Sequence, residues 1–139
     1  MTSRPERGTI TLWLLGLCAM LLPLGGLGLD LGRAFSTRRS LGAAADAAAL
    51  AGSGALDVAA YRADGTVRLD PTRAETRARR SVADQLDADA IHAVRVHVEE
   101  QTVTVVVEGE VDLTLLRLVR GADPFTVTAS ATARPHLRP

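Results

Sequence analysis

Three histidines, one cysteine and sixteen carboxylates are the groups in this chain that could hold a metal or move a proton. His92 and His97 stand five apart in a stretch that alternates like a strand. Their side chains therefore leave on opposite faces and do not converge on one ion. His136 falls in an Arg134-Pro135 tail. Cys18 sits inside an apolar run, where a thiol packs as a small hydrophobe. With no second cysteine there is no intramolecular disulfide and no cysteine-based zinc site. A lipidation signal wants a small residue before the cysteine near the end of the run, but Leu17 precedes Cys18 and the run continues. The carboxylates are scattered, with no pair placed for acid–base work. Phosphate-loop, dinucleotide, nucleophile-elbow and His-Glu-x-x-His patterns are all missing from the sequence. The expectation is a non-enzymatic chain with no catalytic residues, no cofactor, no metal and no small-molecule substrate.

Charge and composition narrow the partners. Lys plus Arg and Asp plus Glu number 16 each, giving a formal net charge of zero, and every basic residue is arginine. A nucleic-acid binder needs an excess of positive charge to meet phosphates, and a stacking platform needs aromatic faces. Aromatics are only 3% of this chain, so no nucleic-acid partner is expected.

The residues that stand out do so by packing and placement. Asp30 and Arg33 are three apart, on one helical face, directly after an uncharged run. Gly28 and Gly32 make a small-xxx-small step at the same level, which lets two helix backbones approach closely. Asp46 lies alone in an alanine field, either as a functional carboxylate or as a solvating group on one face. Gly52 and Gly54 read as helix stop signals. The candidate packing and motif residues are thus Gly28, Asp30, Gly32, Arg33, Asp46 and Gly52.

Positioning them requires a long helix. Thr9 to Leu29 carries no charge. At ~1.5 Å per residue it spans roughly 31 Å, the thickness of a bilayer's hydrocarbon core. Pro23, Gly25, Gly26 and Gly28 predict a kink or local loosening in its second half. A cleaved secretory signal competes with an uncleaved anchor. The run is long for a signal, and no small-x-small site follows at once, which favours the anchor. The arginines on its two sides are nearly balanced, so charge does not set its orientation.

Leu31 to Leu56 continues as helix, with Phe35, Leu41, Ala45, Ala48, Ala49 and Gly52 on one stripe. Ala63-Asp64-Gly65-Thr66 is a turn, and Val67–Leu69 a short extended piece. A second helix opens with Asp70 as N-cap and Pro71 in first position and runs to about Leu86. Its apolar stripe is Ala74, Ala78, Val82 and Leu86.

The last third changes period. Ile91–Val98, Thr102–Leu113 and Phe125–Ala133 alternate apolar and polar as strands, with Gly109 a candidate bulge. Leu115–Val119 is an apolar patch before a Gly121–Pro124 turn. The fold class is α+β: a long N-terminal transmembrane and stalk helix, then a second helix packed on a small three-stranded antiparallel sheet. The expected organisation is a short cytoplasmic N-terminus (1–8), a transmembrane helix (9–29), an alanine-rich stalk (30–56) and a small extracytoplasmic α+β domain (57–139).

The sequence resembles the TadE/TadG-like proteins of Flp pilus assembly. The residues that carry this are Glu6-Arg7-Gly8 before the run, Leu27-Gly28-Leu29-Asp30-Leu31-Gly32-Arg33-Ala34 at its exit, and Ser40 through Gly52. The resemblance covers roughly residues 6 to 56. It implies a single-pass, pilin-like component of a tight-adherence pilus or secretion system in the cell (inner) membrane, N-terminus cytoplasmic and C-terminal domain extracytoplasmic. Its implied partners are the lipid bilayer and other pilus-assembly or secretion-platform proteins, pilin-like helices among them. Some relatives are cut by a prepilin peptidase after a Gly followed, five positions on, by Glu. Here Gly8 is followed at that distance by Trp13, which argues against processing. The longer relatives carry a further von Willebrand-type domain, and no Asp-x-Ser-x-Ser site of that kind is present. The alternative function is a membrane-tethered extracytoplasmic binding or sensor module unconnected with pili.

Overall fold

A computed structural model describes residues 7–111, 113 and 125–135 of the chain. Its longest element is helix α1, Arg7–Ser53, which runs unbroken for 47 residues, or roughly 70 Å at the helical rise. Pro23 lies inside it without ending it. The cost is one missing N–H and a carbonyl freed one turn earlier. The helix stops beside Gly54, where the Ala55 N–H bonds the Gly52 carbonyl and the Ser53 hydroxyl bonds the Leu50 carbonyl.

A short helix that the sequence pattern did not suggest follows: α2, Val58–Asp64. The Asp57 carboxylate caps it by accepting from the Ala59 and Ala60 N–H groups. Gly65, at φ +73°, ends it in the left-handed region that glycine enters without a side-chain clash. Beyond the turn, Leu69 bridges back to Leu56 in the expected extended piece. Helix α3, Pro71–Ala83, then begins as its sequence dictates. The Asp70 carboxylate accepts from the Arg73 N–H at 3.0 Å, and Pro71 holds the first turn. The helix closes a turn earlier than expected, at Ala83, and a 3-10 turn (Ala88–Ala90) leads into the sheet.

The sheet has three antiparallel strands in the order β1 (Ala93–Val98), β2 (Val103–Val111), β3 (Phe125–Ala133). The expected alternation holds. Val103, Val105, Val107, Val111, Val127 and Ala131 are buried on one face, while Thr104, Val106, Glu108 and Glu110 stand on the other. The bulge expected at Gly109 is absent: each residue from Val103 to Val111 has one partner on β3, Gly109 facing Val127. The Leu115–Val119 patch, the Gly121–Pro124 turn and His136 lie outside the described residues.

The sheet's cover differs from expectation. The stripe of α3 is buried as expected at Ala74, Ala78 and Val82. Most of β2 and β3, however, is covered by the second half of α1, through Leu41, Ala45, Ala48 and Ala49. The alanine-rich stretch is therefore the central element of the core. Small side chains let its backbone lie close to both α3 and the valine face of the sheet. Phe35 does not share this stripe: it is 68% exposed.

Candidate helix-packing site

The six packing and motif residues fall into contrasting settings. Gly52, at the end of α1, sits between α3 and β2. A Cβ added there would lie 3.0 Å from the Val103 Cγ1 and 3.2 Å from the Ala74 carbonyl oxygen. A larger residue would press Val103 and the Ala74 backbone apart, so glycine suits the spacing at which the three elements meet. Arg77 of α3 ties down the same corner by donating to the Gly54 carbonyl at 3.1 Å.

Gly28 and Gly32 have the opposite surroundings. A Cβ on either would meet nothing within 4 Å, and both are exposed. The small-xxx-small step is thus an open notch on the surface of α1. Between the two glycines lies Asp30, almost wholly buried, with the Arg33 guanidinium 4.0 Å from its carboxylate. The pair forms as the spacing expected, yet asymmetrically: the arginine side chain is 61% exposed while the aspartate's is 2% exposed. The aspartate is thus turned into the protein and its arginine partner toward the surface. Asp46 is exposed on the face of α1 away from the sheet, so the solvating reading fits its position.

Sequence reasoning missed the role of Gly109. A Cβ there would come within 2.8 Å of the Ala90 carbonyl oxygen and 3.0 Å of the Leu41 Cδ1. Among the described residues Leu41 is the largest wholly buried side chain, and the bare backbone of Gly109 makes its seat. A glycine in a valine-rich strand marks either a bulge or a close approach, and here it is the second.

Several polar side chains on the outer face are paired. His92 lies 3.2 Å from the Glu110 carboxylate, His97 lies 3.5 Å from that of Glu99, and Arg95 bonds Glu108 across β1 and β2. The two histidines thus face separate carboxylates. Among the described residues no three His, Cys, Asp or Glu side chains cluster in a way that could hold a metal ion. Asp64, in the turn after α2, has its pKa held below the usual carboxylate range. The cause is hydrogen bonding from Thr66, first from the hydroxyl and then from the N–H at 2.9 Å.

What sets this arrangement apart is α1, apolar and bare along its first half, small-residued and buried along its second. Residues 8–64 match the Flp pilus-assembly TadE/G-like family. The resemblance read from residues 6 to 56 is borne out, and the match extends it through α2. It takes in all six packing and motif residues and ends before α3. No curated protein and no solved structure matches the chain. The TadE/G-like segment therefore includes the open notch at Gly28 and Gly32 and the whole α1 contribution to the core, while the sheet and α3 lie beyond it.

Proposed function

We propose that this chain is a membrane-anchored, pilin-like structural or assembly subunit of a Flp (tight-adherence) pilus or a related secretion system. It acts by packing and carries out no catalysis. Its N-terminus is cytoplasmic and its α+β unit extracytoplasmic. Its partners are the bilayer and other helices of the pilus or its inner-membrane platform.

The observation that carries this reading is the exposed apolar collar on α1, within the segment that matches the pilus-assembly family. Leu12, Trp13, Leu14, Leu15, Leu22 and Leu29 are each more than 60% exposed, on all sides of the helix rather than along one stripe. A helix apolar all round demands burial in lipid or among other helices, because water does not tolerate a bare patch of that extent. The helix is long and apolar enough to cross a membrane. The notch at Gly28 and Gly32 offers a second backbone close approach within that zone. Asp30 and Arg33 mark its outer end.

The test is genetic. Cells lacking this protein are expected to lose surface pili and adherence, and the intact gene to restore both. Gly28→Glu, which places a charge in the notch without touching the folded core, is expected not to restore them. Normal piliation and adherence in the deletion strain would overturn the proposal.

A further inference from the structure

We infer that the end of the α+β unit nearest the apolar collar rests on the headgroup layer of a phospholipid bilayer, through Leu31, Phe35, Arg38 and the start of β3. The inference builds on the anchored reading above and adds a docked pose for the domain.

Leu31, Ala34, Phe35 and Arg38 recur at the spacing of one helix face. With Phe125, Thr126, Val127 and Thr128 they line an open groove of about 300 Å³. The chain has only two phenylalanines, and both flank this groove. Neither is in the core: Phe35 is 68% and Phe125 57% exposed, although smaller valines and alanines are fully buried nearby. A soluble domain with so few aromatics would bury them first. Their joint exposure on one groove points to an amphipathic medium.

The position fits that medium. At ~1.5 Å per residue, Phe35 stands roughly 9 Å beyond Leu29, the last residue of the uncharged run. The headgroup layer on each side of the hydrocarbon is roughly 5–8 Å thick. Leu31 therefore lies within the layer and Phe35 just beyond it, with a side chain that tilts toward the helix N-terminus and so back toward the layer, where aromatic residues favour the boundary between apolar and wet. Arg38 stands further out, with a side chain long enough to reach back.

Charge agrees. Arg33 is paired with Asp30, and the other ionised groups of α1 between Leu29 and Asp46 are Arg38 and Arg39, both exposed. Guanidinium groups match phosphate oxygens in bidentate geometry. The first four residues of β3 carry no charge. Glu110, opposite Thr126 in the ladder, lies on the sheet's other face beside His92. The acidic connection with Asp84, Asp87 and Asp89 leads into β1, whose pairing begins at Glu108, three residues short of the end of β2.

Tryptophan quenching tests the pose, because Trp13 is the chain's only tryptophan. The full chain is reconstituted in phospholipid vesicles carrying bromine at the top of the acyl chains. Wild-type Trp13 reports insertion of α1. In the double variant Trp13→Phe with Phe125→Trp, the introduced indole is expected to lose emission about two-fold on brominated lipid, as an interfacial aromatic should. Adding Arg38→Glu is expected to remove most of that loss. A Phe35→Trp version repeats the reading on the other flank, and circular dichroism checks that each variant is folded. Full quenching by aqueous iodide with no bromine effect would overturn the docked pose. So would protection from both quenchers with emission that shifts on dilution, which would place a second copy on the groove. If Trp13 itself escapes bromine, the anchored reading fails; if Trp13 is quenched and the introduced indole is not, the docked pose alone fails.

Discussion

At the scale of single residues, the glycines separate fold from function. Gly109→Ala drives a methyl against the Ala90 carbonyl, which is backbone and cannot swing aside. Gly52→Ala meets a valine methyl and the Ala74 carbonyl at slightly longer range. Overpacking of this kind costs about 1–3 kcal/mol. Thermal unfolding of the detergent-solubilised chain is expected to show both variants destabilised, Gly109→Ala more strongly. Gly42 is also in α1, but a Cβ there meets nothing within 4 Å. Gly42→Ala is therefore expected to gain up to about 1 kcal/mol from helix propensity. If all three variants unfold together, the close approaches are not what holds the elements at their spacing.

Asp30 and Arg33 illustrate the same scale electrostatically. Removing the exposed member leaves a buried carboxylate without this counter-charge, whereas removing the buried member leaves only a solvated guanidinium, so Arg33→Ala should unfold below Asp30→Ala. The reverse order would show that the carboxylate is held by its other contacts rather than by Arg33. Asp64 gives a pH reading. Its folded pKa is depressed, so the stability it adds is present above the unfolded pKa and is lost as pH falls through the folded value. Thr66→Ala removes the hydroxyl that contributes most to the shift, and the Asp64 carboxyl pKa, followed by NMR titration, is expected to rise. No change would mean that the hydroxyl does not set it.

Among the elements, α3 and the strands were legible because their signals are local. Asp70-Pro71 states a helix start by itself, and the Ala74–Ala78–Val82 stripe states which face is buried. Asp70→Ala is expected to cost about 1 kcal/mol at the N-cap, measurable as a lowered unfolding midpoint. Alternation of valine with threonine, arginine and glutamate stated the strands and their wet face. What stayed hidden depended on partners distant in sequence. Gly109 carries no local sign that Leu41 will be seated on it. Phe35 fits the helical stripe by period, and only the lie of α1 across β3 turns it outward. The alanine-rich stretch reads equally well as a free stalk or as a core helix, since alanine serves both. Of the packing set, Gly52 proved to be part of the folded unit, whereas Gly28 and Gly32 remained open. No local feature of the three glycines distinguishes them.

For the whole molecule, one helix is shared between two environments. Its second half is the central strut of the α+β core, and its first half presents apolar side chains outward on every side. A force or displacement applied to the apolar half is therefore transmitted directly into the domain, with no linker between them. The proposed role as a packing subunit requires a connection of this kind.

The measurement that bears most directly on this is the intact mass of the expressed chain recovered from membranes after alkaline carbonate extraction. The account expects the chain to stay with the membrane at its full 14.6 kDa. A soluble product lacking roughly the first thirty residues, the length of an ordinary signal peptide, would contradict it.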